Sequence, residues 1–167
     1  DVNILIGPIG ADTSEVGFAA ANAVIAVAAA RKDCVSVVSP PTTGTDGTAL
    51  QSTVATAVTK TTDWSAGVTS SSYGIMTSTC VYVYDKYNDV YRWIGSAGHV
   101  AGLLANVDNV AETWFSPAGY NRGQLRGVIK LGYNPTASQR DTLYKGRVNP
   151  LVSFPGQGTL LFGDKTA

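Results

Sequence analysis

The sequence has few charged residues and only one histidine, and these shortages already exclude several classes of function. Charged side chains make up 14% of the 167 residues, and 12 basic residues balance 12 acidic ones. Such a chain lacks the strong positive field with which proteins attract nucleic acids or anionic membranes. A Ser-His-Asp hydrolase would depend entirely on His99 as its base. We therefore expect the partners to be other protein surfaces.

Cysteines and long apolar segments are also scarce. Cys34 and Cys80 lie in separate strand-like runs, without the paired spacing of a zinc site or a disulfide framework, so we expect both to be buried thiols. The Ala-rich stretch at residues 16–30 is shorter than the roughly 20 residues that a membrane span requires. No signal peptide with a basic start is recognisable. A soluble intracellular protein is therefore expected.

The usual sequence signatures of enzyme and metal sites are missing. No Gly-x-Ser-x-Gly segment is present to expose a nucleophilic serine. The Gly/Thr-rich residues 44–48 lack the lysine of a phosphate-binding loop and are typical of a turn before a helix. Asp85 and Asp89 flank a short connection without the alternating oxygen ligands of a calcium loop. We therefore expect no catalytic residue, no metal site and no cofactor.

The first half of the chain predicts strands that alternate with helices. Residues 2–6 are a short apolar run closed by a Gly-Pro turn, which is typical of a buried strand. Asp12 and Glu15 resemble a capping box for an Ala-rich helix that ends near Lys32. The β-branched residues 34–39 indicate a second strand. This order predicts a parallel βαβ unit.

A second helix is predicted next in the chain. Leu50, Val54 and Val58 recur every four positions and indicate an amphipathic helix over residues 48–61. Residues 63–72 are polar and rich in Ser and Thr, which favours a surface loop.

The middle of the chain predicts an antiparallel hairpin with an aromatic face. Residues 74–84 and 90–94 are strand-forming, and the five residues between them suit a turn. Along the first strand Val81 and Val83 point to one side, and two tyrosines point to the other. Such an aromatic face either belongs to the core or is the buried anchor of a contact with another protein, and both interpretations stay open.

The remaining elements complete an α/β domain. Ser96 is a candidate cap for a helix whose Gly/Ala-rich start at residues 96–105 would let another backbone approach closely. A strand at 127–131, a helix at 136–145 and one or two strands within 151–162 follow. The sequence therefore predicts a mixed sheet with a parallel βαβ core plus an antiparallel hairpin, with helices packed on the sheet.

The last third of the chain carries three segments punctuated by Pro and Gly. They read Trp-Phe-Ser-Pro-Ala-Gly-Tyr-Asn-Arg-Gly at 114–123, Gln-Arg-Asp-Thr-Leu-Tyr-Lys-Gly-Arg-Val-Asn-Pro at 139–150, and Phe-Pro-Gly-Gln-Gly at 154–158. In this order and spacing they resemble the tail sheath proteins of contractile-tail bacteriophages, in particular those of T-even-like myoviruses. The motif positions, which we expect to be structural, are Trp114, Pro117, Gly119, Arg122, Gly123, Arg140, Leu143, Tyr144, Asn149, Pro150, Phe154, Pro155, Gly156 and Gly158.

The resemblance implies a structural role. Sheath subunits of this family have a subtilisin-like but non-catalytic core, polymerise into a helical tube around the inner tail tube, and contract to drive that tube through the host envelope. By resemblance, this chain would belong to the virion tail and would be assembled in the host bacterial cytoplasm. Its partners would be other copies of itself, the inner tail tube protein, and baseplate and tail terminator proteins, without nucleic acid, membrane insertion or a cofactor.

The resemblance also bears on domain organisation. Residues 1–167 would be a single sheath core domain of a longer subunit, with an α/β part at residues 1–113 and the sheath motifs at residues 114–167. In the family, terminal arms outside this core donate strands to the sheet of a neighbouring subunit.

Two surface features are candidates for subunit contacts. One is the aromatic hairpin, and the other is a group of five cations within 24 residues that only Asp141 opposes. These cations are either a solvated face or a basic patch that meets an acidic patch on a neighbour. The candidate interface residues are Tyr82, Tyr84, Tyr87, Arg122, Arg126, Arg140 and Lys145.

Three alternative functions are compatible with parts of this pattern. The sheath of a related contractile injection system, such as a phage-tail-like bacteriocin, would share the motifs. A subtilisin-like hydrolase would need His99 as its base. A cell-surface adhesion module would need calcium and secretion, and nothing in the sequence supports either.

Overall fold

The computed structural model describes residues 2–7, 18–40 and 54–167. The sheet with the most strands in these ranges is parallel. The four strands of this sheet, in spatial order, are β1 (Ile4–Ile6), β2 (Val35–Val38), β3 (Gly74–Thr77) and β7 (Val148–Asn149). Every neighbouring pair runs parallel. The β-branched residues of β2 suit this position because a strand of a parallel sheet is covered on both faces.

Four helices accompany the strands in the described part of the chain. They are α1 (Ala19–Arg31), α2 (Val54–Gly67), α3 (Ala97–Val110) and α4 (Ala137–Lys145). Helix α1 lies between β1 and β2 in the chain, and α2 lies between β2 and β3, so each forms a parallel βαβ unit. The predicted βαβ core is therefore confirmed. None of the helices in these ranges is long and apolar enough to cross a membrane.

The antiparallel strands form two further sheets. One has the order β5 (Val90–Gly95), β4 (Cys80–Asp85) and β6 (Val128–Leu131), and the other pairs β8 (Leu151–Phe154) with β9 (Gly158–Leu161). The predicted α/β class with an antiparallel hairpin is confirmed. Parallel and antiparallel strands lie in separate sheets. The domain therefore contains both kinds of strand pairing, whereas each single sheet contains only one.

The core has apolar clusters on both faces of the parallel sheet. Val37 packs in a cluster with Val81, Val100 and Leu151, which come from β4, α3 and β8. The next residue, Val38, packs with Trp64 and other side chains of α1 and α2. Successive residues of a strand point to opposite faces, so one strand joins both clusters. Two helices therefore cover one face, while α3 and antiparallel strands cover the other.

Helix α2 ends later in the chain than the sequence predicted. Residues 63–72 were expected to form a loop, but the helix continues to Gly67 and buries Trp64. The hydroxyl of Thr61 donates to the carbonyl of Ala57, and Ser65 donates to Thr62, so these polar residues are satisfied within the helix. The loop prediction was wrong for residues 63–67, because Ser and Thr composition was given more weight than the continuing buried stripe, whereas residues 68–72 lie outside helices and strands.

The remaining local predictions concern the cap at Ser96, the segments at residues 12–15 and 44–48, and the two cysteines. Ser96 stands at the N-cap of α3, but its side chain makes no capping bond and donates to Thr77 Oγ1 over 2.7 Å instead. The predicted capping box at Asp12 and Glu15 and the turn at residues 44–48 lie outside the described residues. Cys34 and Cys80 are both buried, as expected.

Asn149 in β7 ties the parallel sheet to the end of the chain. It is fully buried, and its Nδ2 donates to the carbonyl of Met76 at 3.1 Å and to that of Lys165 at 2.8 Å. Its Oδ1 accepts from the Lys165 backbone N–H at 2.8 Å. The final residues thus stay beside the sheet, where Ala167 N–H also donates to the carbonyl of Gly74.

We expect Asn149→Ala to destabilise the domain by about 2–4 kcal/mol, because it leaves several backbone groups without partners in a buried site. The measurement is the free energy of unfolding from urea denaturation. Asn109→Ala is the matched control, since Asn109 is exposed and donates only to the carbonyl of Ala105. That change should stay within about 0.5 kcal/mol of the parent. Equal effects of the two substitutions would contradict the role of Asn149.

Candidate functional site

The carboxyl edge of the parallel sheet is where α/β enzymes usually bind ligands. Here the hydroxyls of that edge bond to one another. Ser96 donates to Thr77, Thr77 donates to Ser39 at 3.2 Å, and the N–H of Ala97 donates to Ser39 at 2.8 Å. All three hydroxyl side chains are buried. In the described part of this edge these hydroxyls therefore hold the start of α3 against the sheet and are not presented to solvent.

His99 lies on α3, one turn after Ser96. Burial lowers the pKa of its imidazole, so the neutral form is favoured. In the described ranges no carboxylate hydrogen-bonds to it, although a catalytic base requires an orienting acid. No group of three His, Cys, Asp or Glu residues in those ranges could hold a metal ion.

The first sheath-like motif covers the free edge of β9. Gly119 N–H donates to Leu161 O, and Leu161 N–H donates to Gly123 O over 2.7 Å. A Cβ on Gly123 would lie 2.6 Å from the carbonyl oxygen of Leu161, so no other residue fits there without a shift. Gly119 has φ +94°, a left-handed conformation that favours glycine. Close packing at Gly123 and backbone conformation at Gly119 therefore favour glycine within the domain itself.

The opposite edge of the same two-stranded sheet is covered by side chains. Asn134 donates from Nδ2 to the carbonyl of Ser153 at 3.0 Å and accepts from the Ser153 N–H at 2.9 Å. The N–H of Leu151 donates to Ser78 Oγ at 2.9 Å. Because edge strands with unpaired backbone groups invite association, this arrangement protects β8 from a further strand.

The second motif segment precedes the β8–β9 sheet in the chain, and the third contains the turn between its two strands. Leu143 on α4 is fully buried. The carbonyl of Pro150 accepts a hydrogen bond from the N–H of Phe162. Tyr144 lies under the ammonium group of Lys165, which is 4.0 Å from its ring centroid. The turn between β8 and β9 contains Pro155, with left-handed glycines at Gly156 and Gly158. Pro117 is half-buried, whereas Trp114 is exposed.

The hairpin carries a ladder of aromatic rings that faces solvent. Tyr84 pairs with Tyr91 across the strands, with ring centroids 5.0 Å apart, and Tyr82 pairs with Trp93 at 4.8 Å. Tyr84 is 46% exposed and Tyr91 58%, whereas Val81 on the other face is fully buried. The aromatic face is therefore not part of the core of this domain. Tyr87 in the turn is 88% exposed.

Three of the five cations expected to share one face, Arg122, Lys130 and Arg140, contact different aromatic groups. Arg122 lies over Phe115, with 4.8 Å from Cζ to the ring centroid. Lys130 lies over Tyr82 at 4.7 Å. Arg140 lies over two rings of a further cluster, Phe154 and Phe162. Arg126 and Lys145 are exposed. Cation–π contacts thus account for three of the five cations, a pairing that the sequence spacing did not indicate.

A groove of about 780 Å³ runs between α3 and residues 121–126. Its lining includes Gly98, His99, Gly102, Asn106, Arg122 and Arg126. A Cβ at either glycine would meet nothing within 4 Å. Gly102 lies in the interior of α3, where glycine is about 0.8–1.0 kcal/mol less favourable than alanine, whereas Gly98 lies in the first turn. The small residues of 96–105 were the sequence signal for this groove, but its opposite wall comes from a distant segment.

The sequence is similar to a known protein family and to curated proteins. A family model described as phage tail sheath protein central domain matches residues 1–167. The tail sheath protein of Enterobacteria phage T4 is 40% identical over 174 residues, an alignment that covers 100% of this chain and 26% of that protein. This chain therefore spans about a quarter of the length of that curated relative.

Solved structures show a similar fold at lower sequence identity. The sheath complex of an extracellular contractile injection system in its contracted state matches with a TM-score of 0.65 and 18% identity, over 98% of this chain and 39% of that one. A chain of the baseplate of the anti-feeding prophage matches with a TM-score of 0.60 and 18% identity, over 88% of this chain and 34% of that one. At this identity the similarity concerns the fold alone.

We expect the single histidine to titrate below 6.5 in an NMR pH titration, because burial disfavours its charged form. The unfolded chain then binds more protons than the folded one in this range. The domain should therefore lose the part of its stability that depends on neutral His99 as the pH falls from about 6.5 toward the pKa of His99 in the folded state. In His99→Gln this part of the pH dependence should be absent. A midpoint at or above 6.5 would contradict the half-buried placement of His99.

Proposed function

The chain belongs to the phage tail sheath protein central domain family, and we propose that it forms the core of a structural subunit that polymerises into a contractile sheath. The observation that carries this proposal is the match over the whole chain together with 40% identity to a phage tail sheath protein. A sheath of a related contractile injection system is the second candidate, favoured by the similar folds of such assemblies. The higher identity to a phage protein supports the first.

We propose that residues 1–167 are one core domain of a longer subunit. The length of the T4 relative supports this, since the alignment covers 26% of it. The α/β part, at residues 1–113, and the motif part, at residues 114–167, share a core. Val37 and Val81 of the former pack in one cluster with Leu151 and Leu161 of the latter. Such a domain suits motion as a rigid body.

The proposed subunit has no catalytic role. Support comes from the carboxyl edge of the parallel sheet, where Ser39, Thr77 and Ser96 bond to one another, and from the absence of an acid bonded to His99 in the described ranges. The subtilisin-like hydrolase alternative requires a nucleophile beside an oriented base. A solid domain with a filled edge fits a structural subunit better.

Assembly follows from the symmetry of the contacts. When two different patches of identical subunits meet and the rotation does not close, an open helical array results. We propose that such arrays surround an inner tail tube in the virion tail, after assembly in the host cytoplasm, and join baseplate and terminator proteins at their ends. Contraction would be a rearrangement between two packings of rigid subunits, driving the tube through the host envelope without nucleotide hydrolysis.

The exposed aromatic ladder and the cations beside it are the proposed contact surfaces between subunits. Tyrosine and tryptophan rings supply large contact areas at interfaces, and exposed rings such as Tyr84 and Tyr91 are available for this. Arg126 and Lys145 add exposed positive charge, which can select an acidic neighbour. Arg122 and Arg140 hold aromatic side chains within the domain and have a structural contribution as well.

The first experiment is negative-stain microscopy of the full-length subunit that contains this chain, expressed alone. We expect hollow, thick-walled helical tubes, because sheath subunits associate through non-closing contacts. Size-exclusion chromatography at increasing protein concentration provides the complementary measurement. A folded product that stays monomeric at every concentration would contradict the proposal and would direct attention to a hydrolase assay with His99 variants.

The hairpin surface can be tested by Tyr87→Ala. This side chain lies in a turn and is 88% exposed, so its removal should change stability by less than about 0.5 kcal/mol. We expect fewer tubes at a given subunit concentration, since an exposed aromatic anchor is lost from an interface. Val27→Ala on α1, another exposed apolar residue, is the control. Unchanged assembly of Tyr87→Ala would exclude the turn from the contact.

A further inference from the structure

The groove between α3 and residues 121–126 has no occupant within the described part of the chain. Four of its lining residues, Gly98, Gly102, Asn106 and Val110, recur every four positions along the exposed side of α3. From residue 98 to residue 110 the helix rises by roughly 18 Å, at 1.5 Å per residue. That length matches an extended segment of about five residues. A small molecule would occupy only part of such a row.

The two glycines point to a close approach by another backbone. Glycine destabilises a helix interior relative to alanine. Gly102 lies in the interior of α3, and a Cβ at Gly98 or Gly102 would meet no atom within 4 Å, so packing within the described part of the chain does not require glycine at either position. This differs from Gly123, where a carbonyl oxygen of the domain excludes any side chain. A contact from outside the domain accounts for glycine on α3.

The charge of the groove defines the partner. Arg122 and Arg126 line the wall opposite α3, and none of the lining residues in the described ranges carries a carboxylate. His99 lies on the α3 side, and burial keeps it neutral. Leu103, with Leu125 across from it, supplies an apolar floor. The matching ligand is therefore an extended segment that combines carboxylates with small or apolar side chains.

We propose that this groove binds an acidic, extended segment of a neighbouring sheath subunit. The proposal rests on the proposed function, because the neighbour is a second copy of the subunit. It assigns Gly98 and Gly102 to close backbone packing and Arg126 to charge recognition. Arg122 contributes charge while its Nε remains bonded to the carbonyl of Ser116 at 3.1 Å. Binding in this groove connects subunits through two different patches, as an open helical array requires.

The test fills the groove without harming the fold. Gly102→Leu in the full-length subunit places a side chain in open space and improves helix propensity, so thermal stability should be equal or higher. The critical concentration for tube assembly should rise about tenfold or more, which corresponds to about 1.4 kcal/mol per contact. Ala105→Leu is the matched control, because Ala105 is exposed on the same helix outside the groove. It should assemble like the parent.

Charge reversal gives a second, independent comparison. Arg126→Glu should also raise the critical concentration, and added salt should reduce the difference from the parent, because screening weakens exposed charge pairs. Lys32→Glu, at an exposed cation that ends α1 outside the groove, is the control and should assemble like the parent. Normal assembly of both Gly102→Leu and Arg126→Glu would overturn the groove proposal while leaving the sheath function intact. Absence of tubes from the parent subunit would instead contradict the sheath function.

The occupant can be identified by cross-linking. A benzophenone attached to Gly98→Cys in assembled tubes should join a carboxylate-rich peptide of another subunit. Tubes made from mixed isotope-labelled and unlabelled subunits separate contacts between subunits from contacts within one. A cross-link confined to the same subunit, or one to the inner tube protein when that protein is present, would overturn the assignment to a neighbouring subunit.

Discussion

Buried side-chain hydrogen bonds at the carboxyl end of the parallel sheet are the constraint on which this fold depends. The strands of that sheet contain only two to four residues each, so their backbone ladder provides few hydrogen bonds. Thr77 and Asn149 are register partners across β3 and β7, and they extend the connection to Ser39, α3 and the last residues of the chain. Because these polar groups are buried, another arrangement of the strands would leave them unsatisfied.

The same hydrogen bonds fit the structural role that we propose for this enzyme-like architecture. An open carboxyl edge gives α/β enzymes a place for substrates. Here that edge holds the start of α3, and the edges of the β8–β9 sheet are covered by residues 119–125 and by Asn134. These edges are thus occupied by contacts within the described part of the domain, which suits the proposed movement of the subunit as a rigid body.

The surface combines exposed rings with cations that partly cover them. Lys130 lies above Tyr82 and Trp93, and Arg122 lies above Phe115. Each cation holds its ring in a defined orientation, and a partner that meets an ordered ring loses less side-chain entropy on binding. The groove beside α3 follows a different principle, because the missing side chains of two glycines provide the space there.

Sequence patterns determined the class of fold and most elements, because strand alternation, helix periodicity and Gly or Pro turns are local properties of the backbone. The motifs at residues 114–158 likewise indicated the family by their order alone. Local composition misplaced the end of α2, where Trp64 belongs to a buried stripe. Tertiary structure alone decided that Ser96 bonds to Thr77, that Arg140 lies over Phe162, and that residues 121–126 form a groove with α3. These contacts join segments far apart in the chain, and periodicity describes a residue's own element without specifying what packs against it.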